Sequence, residues 1–273
     1  MPVIPEISSG QSIELLKELH ILTRDGKLNQ DSRRKLKQVH HLFRFIAPLL
    51  EEIVADHEEA TVADHGAGKS YLGFILYDLF FRARSVGQVY GIEQRGELVE
   101  RSRQLAARFG FARMSFVESS VANAIDSPRL PARIDLVTAL HACDTATDDA
   151  IRFALHKEAR FVVLVPCCQA EVAAVLRRRK NESFALMPLS ELWRHPLHTR
   201  EFGGQLTNTL RCLQLEAHGY RVMVTELVGW EHSLKNELII ARRSPDARRD
   251  AGARLERLLE ALNLGELRER FLD

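Results

Sequence analysis

Cysteine is scarce in this chain: Cys143, Cys167, Cys168 and Cys212 are the four among 273 residues. They are too few and too irregularly spaced for a disulfide framework, which excludes the small cross-linked secreted class and fits a reducing compartment. Also missing is an apolar run long enough to cross a bilayer, and the N-terminus lacks a basic segment followed by an apolar core. A cytoplasmic protein is therefore expected. There is no excess of charge either, since the formal net charge is +1. A balanced total neither demands nor excludes a polyanionic partner, because a basic face can be hidden inside it. No internal repeat and no low-complexity segment is found. What is present is ordinary for a globular chain, 45% hydrophobic and 27% charged, and the length suits one large α/β domain with helical additions at its ends.

Hydrophobic spacing divides the chain. Ile13, Leu16 and Leu19 outline a first helix, and a longer one is predicted to begin near Asp31, with Val39, Leu42, Phe43, Ile46, Leu49, Leu50 and Ile53 on one face and Pro48 as a possible kink. Strands are then predicted at 61–64, 88–93, 115–117, 134–140 and 161–165, alternating with helical patterns, and at 220–227 and 237–241. This alternation predicts a doubly wound, Rossmann-like α/β sheet with right-handed crossovers, in which ligands gather at the C-terminal strand ends. The expected organisation is an N-terminal helical extension over 1–56, a core domain over 57–243 with a roof insertion at 181–210, and a helical tail over 244–273.

The run Val62-Ala63-Asp64-His65-Gly66-Ala67-Gly68-Lys69-Ser70 reads as strand, glycine turn and helix start. Glycines let a ligand approach the backbone, and the helix start offers unpaired N–H groups. Two readings compete. Ala63 to Ser70 fits a relaxed P-loop, but such a loop needs an apolar strand ending in aspartate to hold its metal, and none is evident. A dinucleotide fold would need a triple-glycine spacing that is also missing. In the other reading Asp64, Gly66, Gly68 and the carboxylate Glu93 at the end of the next strand form a set with complementary tasks. Glu93 would accept both ribose hydroxyls of a nucleoside cofactor, and Asp64 with the glycine turn would meet a phosphate-free end of it.

The runs DHGAGKSYLG from Asp64, GIE ending at Glu93, FVESS at 116–120, LHACDTATD at 140–148 and VPCCQ at 165–169 resemble the class I S-adenosylmethionine-dependent methyltransferases. They are most similar to the branch with a Leu-His-Ala-Cys segment and a Pro-Cys-Cys after the fifth strand, whose members include tRNA 2′-O-methyltransferases. The resemblance spans about residues 35–241. It implies a seven-stranded sheet of six parallel strands and one reversed, and S-adenosyl-L-methionine as cofactor. It also implies methionine contacts at Asp64, Gly66 and Gly68, ribose at Glu93, adenine near Ser120, and a transfer chamber at His141 to Asp144. Three departures stand out: His65 replaces an apolar or small residue, Ser70 a glycine, and Cys143-Asp144 the more usual Cys-Gly.

Methyl transfer to a good nucleophile needs alignment more than acid or base help. A ribose hydroxyl would need a base, for which His141, Asp144, Lys37 and Lys235 are candidates. Cys167 is a candidate nucleophile of the kind that adds to a pyrimidine, and His141 with Cys143 and one of Cys167 or Cys168 a candidate zinc set, although packing beside the cofactor accounts for these cysteines with fewer assumptions. The expected activity is methylation of RNA, tRNA or rRNA, and the basic segments Arg33 to Lys37, Arg177 to Lys180 and Arg242-Arg243 would together support RNA contact if they share one face. Alternatives are a methyltransferase for a small molecule or protein, a non-catalytic S-adenosylmethionine- or RNA-binding module, and a P-loop nucleotide-binding protein. No metal is required, and the oligomeric state is open.

Overall fold

The computed structural model describes residues 7, 10–57, 59–68, 70–84, 86–140, 142, 144–166, 169–178, 188–227, 237–245 and 250–272. Strands β1 (Thr61–His65), β2 (Gln88–Glu93), β3 (Met114–Glu118), β4 (Leu136–Leu140), β5 (Phe161–Val165), β6 (Tyr220–Glu226) and β7 (Glu237–Arg243) form a seven-stranded sheet in the order β3-β2-β1-β4-β5-β7-β6. Pairings among β1 to β5 are parallel. β7 runs antiparallel to both neighbours, so it alone is reversed. The order turns back at β1 and β4, which places the ends of β1, β2 and β4 around one crevice.

The central strands are apolar on both faces because both are covered; every residue of β5 is buried. Val62, Val89, Leu136 and Phe161 share one core with the N-terminal helices α1 (Ile13–Glu18) and α2 (Gln30–Asp56) and with α3 (Tyr71–Leu76). The opposite residues, Ala63, Val137, Ala139, Val162 and Leu164, pack with Ile151, Phe153 and Ala154 of α6 (Thr145–His156). The first two helices therefore build the main core together with the sheet. α2 starts at the Asn29 cap, whose side chain accepts from Ser32 N–H at 2.8 Å, and runs on through Pro48. Its far end is tied beneath the sheet, where Arg160 and Arg242 both reach Glu52.

A third core joins α7 (Glu171–Arg178), the long helix α8 (Pro196–Ala217) and the C-terminal helices α9 (Ala251–Ala261) and α10 (Arg268–Leu272), through Val172, Leu176, Trp193, Leu210, Leu255 and Phe271. Here the sequence reading needs correction. Residues 196–204, expected to be part of an irregular roof, are the first turns of α8. Pro196 occupies the start of the helix, where its missing N–H is harmless. Gly203 lies inside it, and a Cβ there would meet the Ala173 backbone at 2.9 Å, so this glycine serves close helix packing. Residues 181–187 of the expected roof lie outside the described residues. The remaining helices at the sheet are α4 (Gly96–Arg108) and α5 (Val121–Ala124).

Candidate active site

Parallel strands bring Asp64, Glu93, Glu118 and Leu140 to one rim. Between β1 and α3 the chain turns through Gly66 at φ +60° and Gly68 at φ +54°, a region that favours glycine. Ala67 N–H donates to the Ile92 carbonyl at 3.1 Å, which fastens the turn to β2.

Glu93 is 8% exposed. Its Oε2 accepts from Gly68 N–H at 2.7 Å, and its Oε1 accepts from both the backbone N–H and the Nε–H of Arg95 at 3.0 and 2.9 Å. Burial alone would raise its pKa, but the Arg95 guanidinium and the backbone donors outweigh it and hold the carboxyl below the usual glutamate value. A carboxylate kept ionised at the end of β2, beside a turn of the small residues Gly66, Ala67 and Gly68, can accept from paired hydroxyls. Arg95 was not foreseen from the sequence; its placement two residues after a strand-end carboxylate is the signal that could have found it.

Asp64 is 2% exposed and sits beneath the turn. Its Oδ1 accepts from the Thr138 hydroxyl at 2.8 Å and its Oδ2 from Gly73 N–H at 3.3 Å, so it joins β1, β4 and α3. Burial raises its pKa to about 6, with the two hydrogen bonds acting the other way. His65 faces the opposite layer and is fully buried, its ring edge-on to Phe153 with centroids 4.2 Å apart. Neither ring nitrogen has a partner among the described residues, and burial lowers its pKa to about 3. It fills the apolar position that its place in the motif calls for.

Ser70 is fully buried, with φ +53°. Its hydroxyl lies where a Cβ on Gly73 would be 2.8 Å away and one on Gly91 3.3 Å away. That orientation argues against the P-loop reading, in which this hydroxyl must face a metal at the rim; Lys69 lies outside the described residues.

Ser120 caps α5, its hydroxyl accepting from Asn123 N–H at 3.2 Å. Asp144 precedes α6 at φ 51°, ψ −125°, with Oδ1 accepting from Ala170 N–H at 3.0 Å and its carbonyl accepting from Arg211 at 2.8 Å. His141, Cys143, Cys167, Cys168 and Lys235 lie outside the described residues, and with them the zinc set, the cysteine nucleophile and two of the four candidate bases, leaving Asp144 and Lys37 described. Cys212 is described, and burial pushes its thiol up to about 12.

The three basic segments do not share a face. Arg242 pairs with Phe161 at the start of β5, at the end of the sheet opposite the rim, and both Arg242 and Arg243 are engaged with carboxylates there. Arg177 lines an open cavity of about 860 Å³ at the rim with Gln169, Asn208 and Glu237; Arg178 is paired with Glu266. Arg33, Arg34, Lys35 and Lys37 are exposed on the first turns of α2.

A family model described as a methyltransferase domain matches residues 34–175, just over half of the chain. The chain belongs to this family. The methyltransferase matches no curated protein by sequence. Among solved structures it is similar to an rRNA methylase from Streptococcus thermophilus, at 12% identity over 76% of this chain and 96% of the other, with a TM-score of 0.45. Similar too are a magnesium protoporphyrin IX methyltransferase from Synechocystis, 17% identical over 85% and 93% with TM-score 0.45, and a methyltransferase from Podospora anserina, 12% identical over 87% and 89% with TM-score 0.48. The ionised Glu93 and the turn through Gly66 and Gly68 suit a phosphate-free nucleoside donor. The protein is an S-adenosylmethionine-dependent methyltransferase.

Proposed function

We infer that the methyl acceptor is RNA, of the tRNA or rRNA class. The observation that supports this is the exposed basic turn of Arg33, Arg34, Lys35 and Lys37 on a helix that meets Tyr71 and Leu140 at the rim. Cations grouped at a rim suit a phosphate backbone. Glu93 holds the ribose of the donor, Gly66 and Gly68 admit its amino-acid end, Ser120 lies toward its adenine, and Asp64 fixes the turn from below. The bound donor supplies an electrophilic methyl on a sulfonium that already carries its leaving group. The chain's task is then alignment. Asp144, held by Ala170 and Arg211, joins His141 and Cys167 as the residues assigned to the transfer chamber.

The test is calorimetric titration with S-adenosylhomocysteine, followed by transfer of labelled methyl from S-adenosylmethionine to fractionated RNA. Two charge-assisted hydrogen bonds are worth about 1.5–3 kcal/mol each, so Glu93→Ala should weaken binding by more than ~100-fold. Unchanged binding in that variant would remove Glu93 from the site, and labelling of protein or small molecules with RNA unlabelled would move the acceptor to another class.

A further inference from the structure

A cavity of about 140 Å³ lies between α2 and α3, walled by Ile21, Val39, Leu42, Leu140 and the ring of Tyr71, with Lys35 and Gln38 at its polar side. Its position ties it to the rim. Tyr71 follows the glycine turn directly, and Leu140 ends β4 on the same face as Thr138, the donor to Asp64. We propose that this cavity is the methyl-acceptor slot and that its occupant is a single nucleobase of RNA, a step that rests on the RNA reading above.

Size, chemistry and charge each bear on the occupant. At about 30 Å³ per water, the cavity has room for on the order of five waters, which suits one flat ring system and not a folded chain segment. Four aliphatic side chains and one aromatic ring offer a base the stacking and packing surface by which unpaired nucleotides are held. The Gln38 amide, half-buried and in no hydrogen bond with the described residues, both donates and accepts, as the edge of a heterocycle requires. The exposed basic turn Arg33 to Lys37 on the same helix would meet the phosphates flanking a base turned into the slot. A lysine or arginine acceptor of a protein would instead bring its charge against that turn, and a ribose has no flat face to lay on the Tyr71 ring and the aliphatic wall. The slot therefore favours a base over both.

The experiment uses the full chain and total tRNA and rRNA fractions. Labelled methyl is transferred from S-adenosylmethionine, the RNA is digested to nucleosides, and the label is assigned to base or ribose. In parallel, ultraviolet cross-linking to the same RNA maps adducts on the protein. Gln38→Trp, which fills the slot from a partly exposed position, should cut transfer at least 20-fold and abolish adducts at Tyr71 and within residues 35–42, while S-adenosylhomocysteine affinity stays within twofold. Gln38→Ala leaves the slot open and should lose only about tenfold in transfer. Label on base nucleosides with this pattern supports the slot. Label on the ribose 2′-oxygen overturns it, as does wild-type transfer by Gln38→Trp. The other two failures fall elsewhere: a wild-type protein that does not bind S-adenosylhomocysteine fails as a cofactor reading, and one that binds it but labels and cross-links no RNA overturns the RNA reading and the slot's occupant with it.

Discussion

Ser70 and Asp144 hold backbone conformations that glycine adopts freely, φ 53°, ψ 37° and φ 51°, ψ −125°. These are two of the positions where the chain departs from the motifs it resembles, and the structure explains why glycine is usual there. Asp144 gains something in exchange, since its carboxylate and carbonyl bind α7 and α8 through Ala170 and Arg211. Ser70 does not: its buried hydroxyl has no partner among the described residues. A left-handed non-glycine residue costs about 1–2 kcal/mol and a buried unpaired hydroxyl about 1–3 kcal/mol, against roughly 0.5–1 kcal/mol for the extra chain entropy of glycine. Ser70→Gly should therefore stabilise the protein by about 1–2 kcal/mol and raise its Tm by about 2–4 °C or more, read by calorimetry. A lower Tm would mean that the hydroxyl is bonded.

Strand β1 carries two titratable groups on opposite faces, and they act on stability in opposite directions. Between 3.8 and about 6 folded Asp64 keeps a proton that the unfolded chain has lost, so its contribution is present at low pH and disappears as pH rises through 6. Between about 3 and 6.5 folded His65 refuses a proton that the unfolded chain takes, so its contribution is lost as pH falls. At 1.36 kcal/mol per pH unit, going from pH 7.5 to 4.5 should favour His65→Leu over the wild type by about 3 kcal/mol and disfavour Asp64→Asn by about 2 kcal/mol. Urea unfolding at the two pH values measures both, and shifts of the same sign would contradict the assignment. Helix α8 supplies a second case. Arg211 is fully buried, donating to Asp148 at 2.7 and 2.9 Å, to Asn208 at 3.1 Å and to the Asp144 carbonyl. Arg211→Met strands a buried carboxylate and should cost about 3–5 kcal/mol and release the Asp144 turn; Arg211→Met with Asp148→Leu should recover most of the loss. If the pair change is no better than the single one, the damage lies in the turn and not in the stranded charge.

At the scale of the whole molecule, the sheet was legible because each strand is a short apolar run followed by small or polar residues at the rim, and β2 spans the predicted 88–93. That Asp64, Gly66, Gly68, Glu93 and Ser120 lie at or just after strand ends was legible for the same reason, whereas the burial of Asp64 against Thr138 and Gly73 was not. What escaped was set by contacts distant in sequence. The first turns of α8 read as a loop because Gly203-Gly204 and Pro196 are ordinarily breakers, and only the Ala173 backbone against Gly203 shows why glycine belongs in that helix. Arg95, Gln38 and Tyr71 looked like ordinary surface and helix residues until β2, α2 and α3 were placed together. The separation of Arg242-Arg243 from the other basic segments likewise follows from the reversal of β7.

That reversal also orders events in time. β5 pairs with β4 on one side and β7 on the other, while β6 pairs with β7 alone. During synthesis β6 emerges with no neighbour to join, and β5 keeps an open, wholly apolar edge until residues 237–243 arrive. An edge of that kind recruits other strands. The nascent chain thus stays adhesive from the emergence of Val165 to that of Arg243, and the last strand to leave the ribosome closes it.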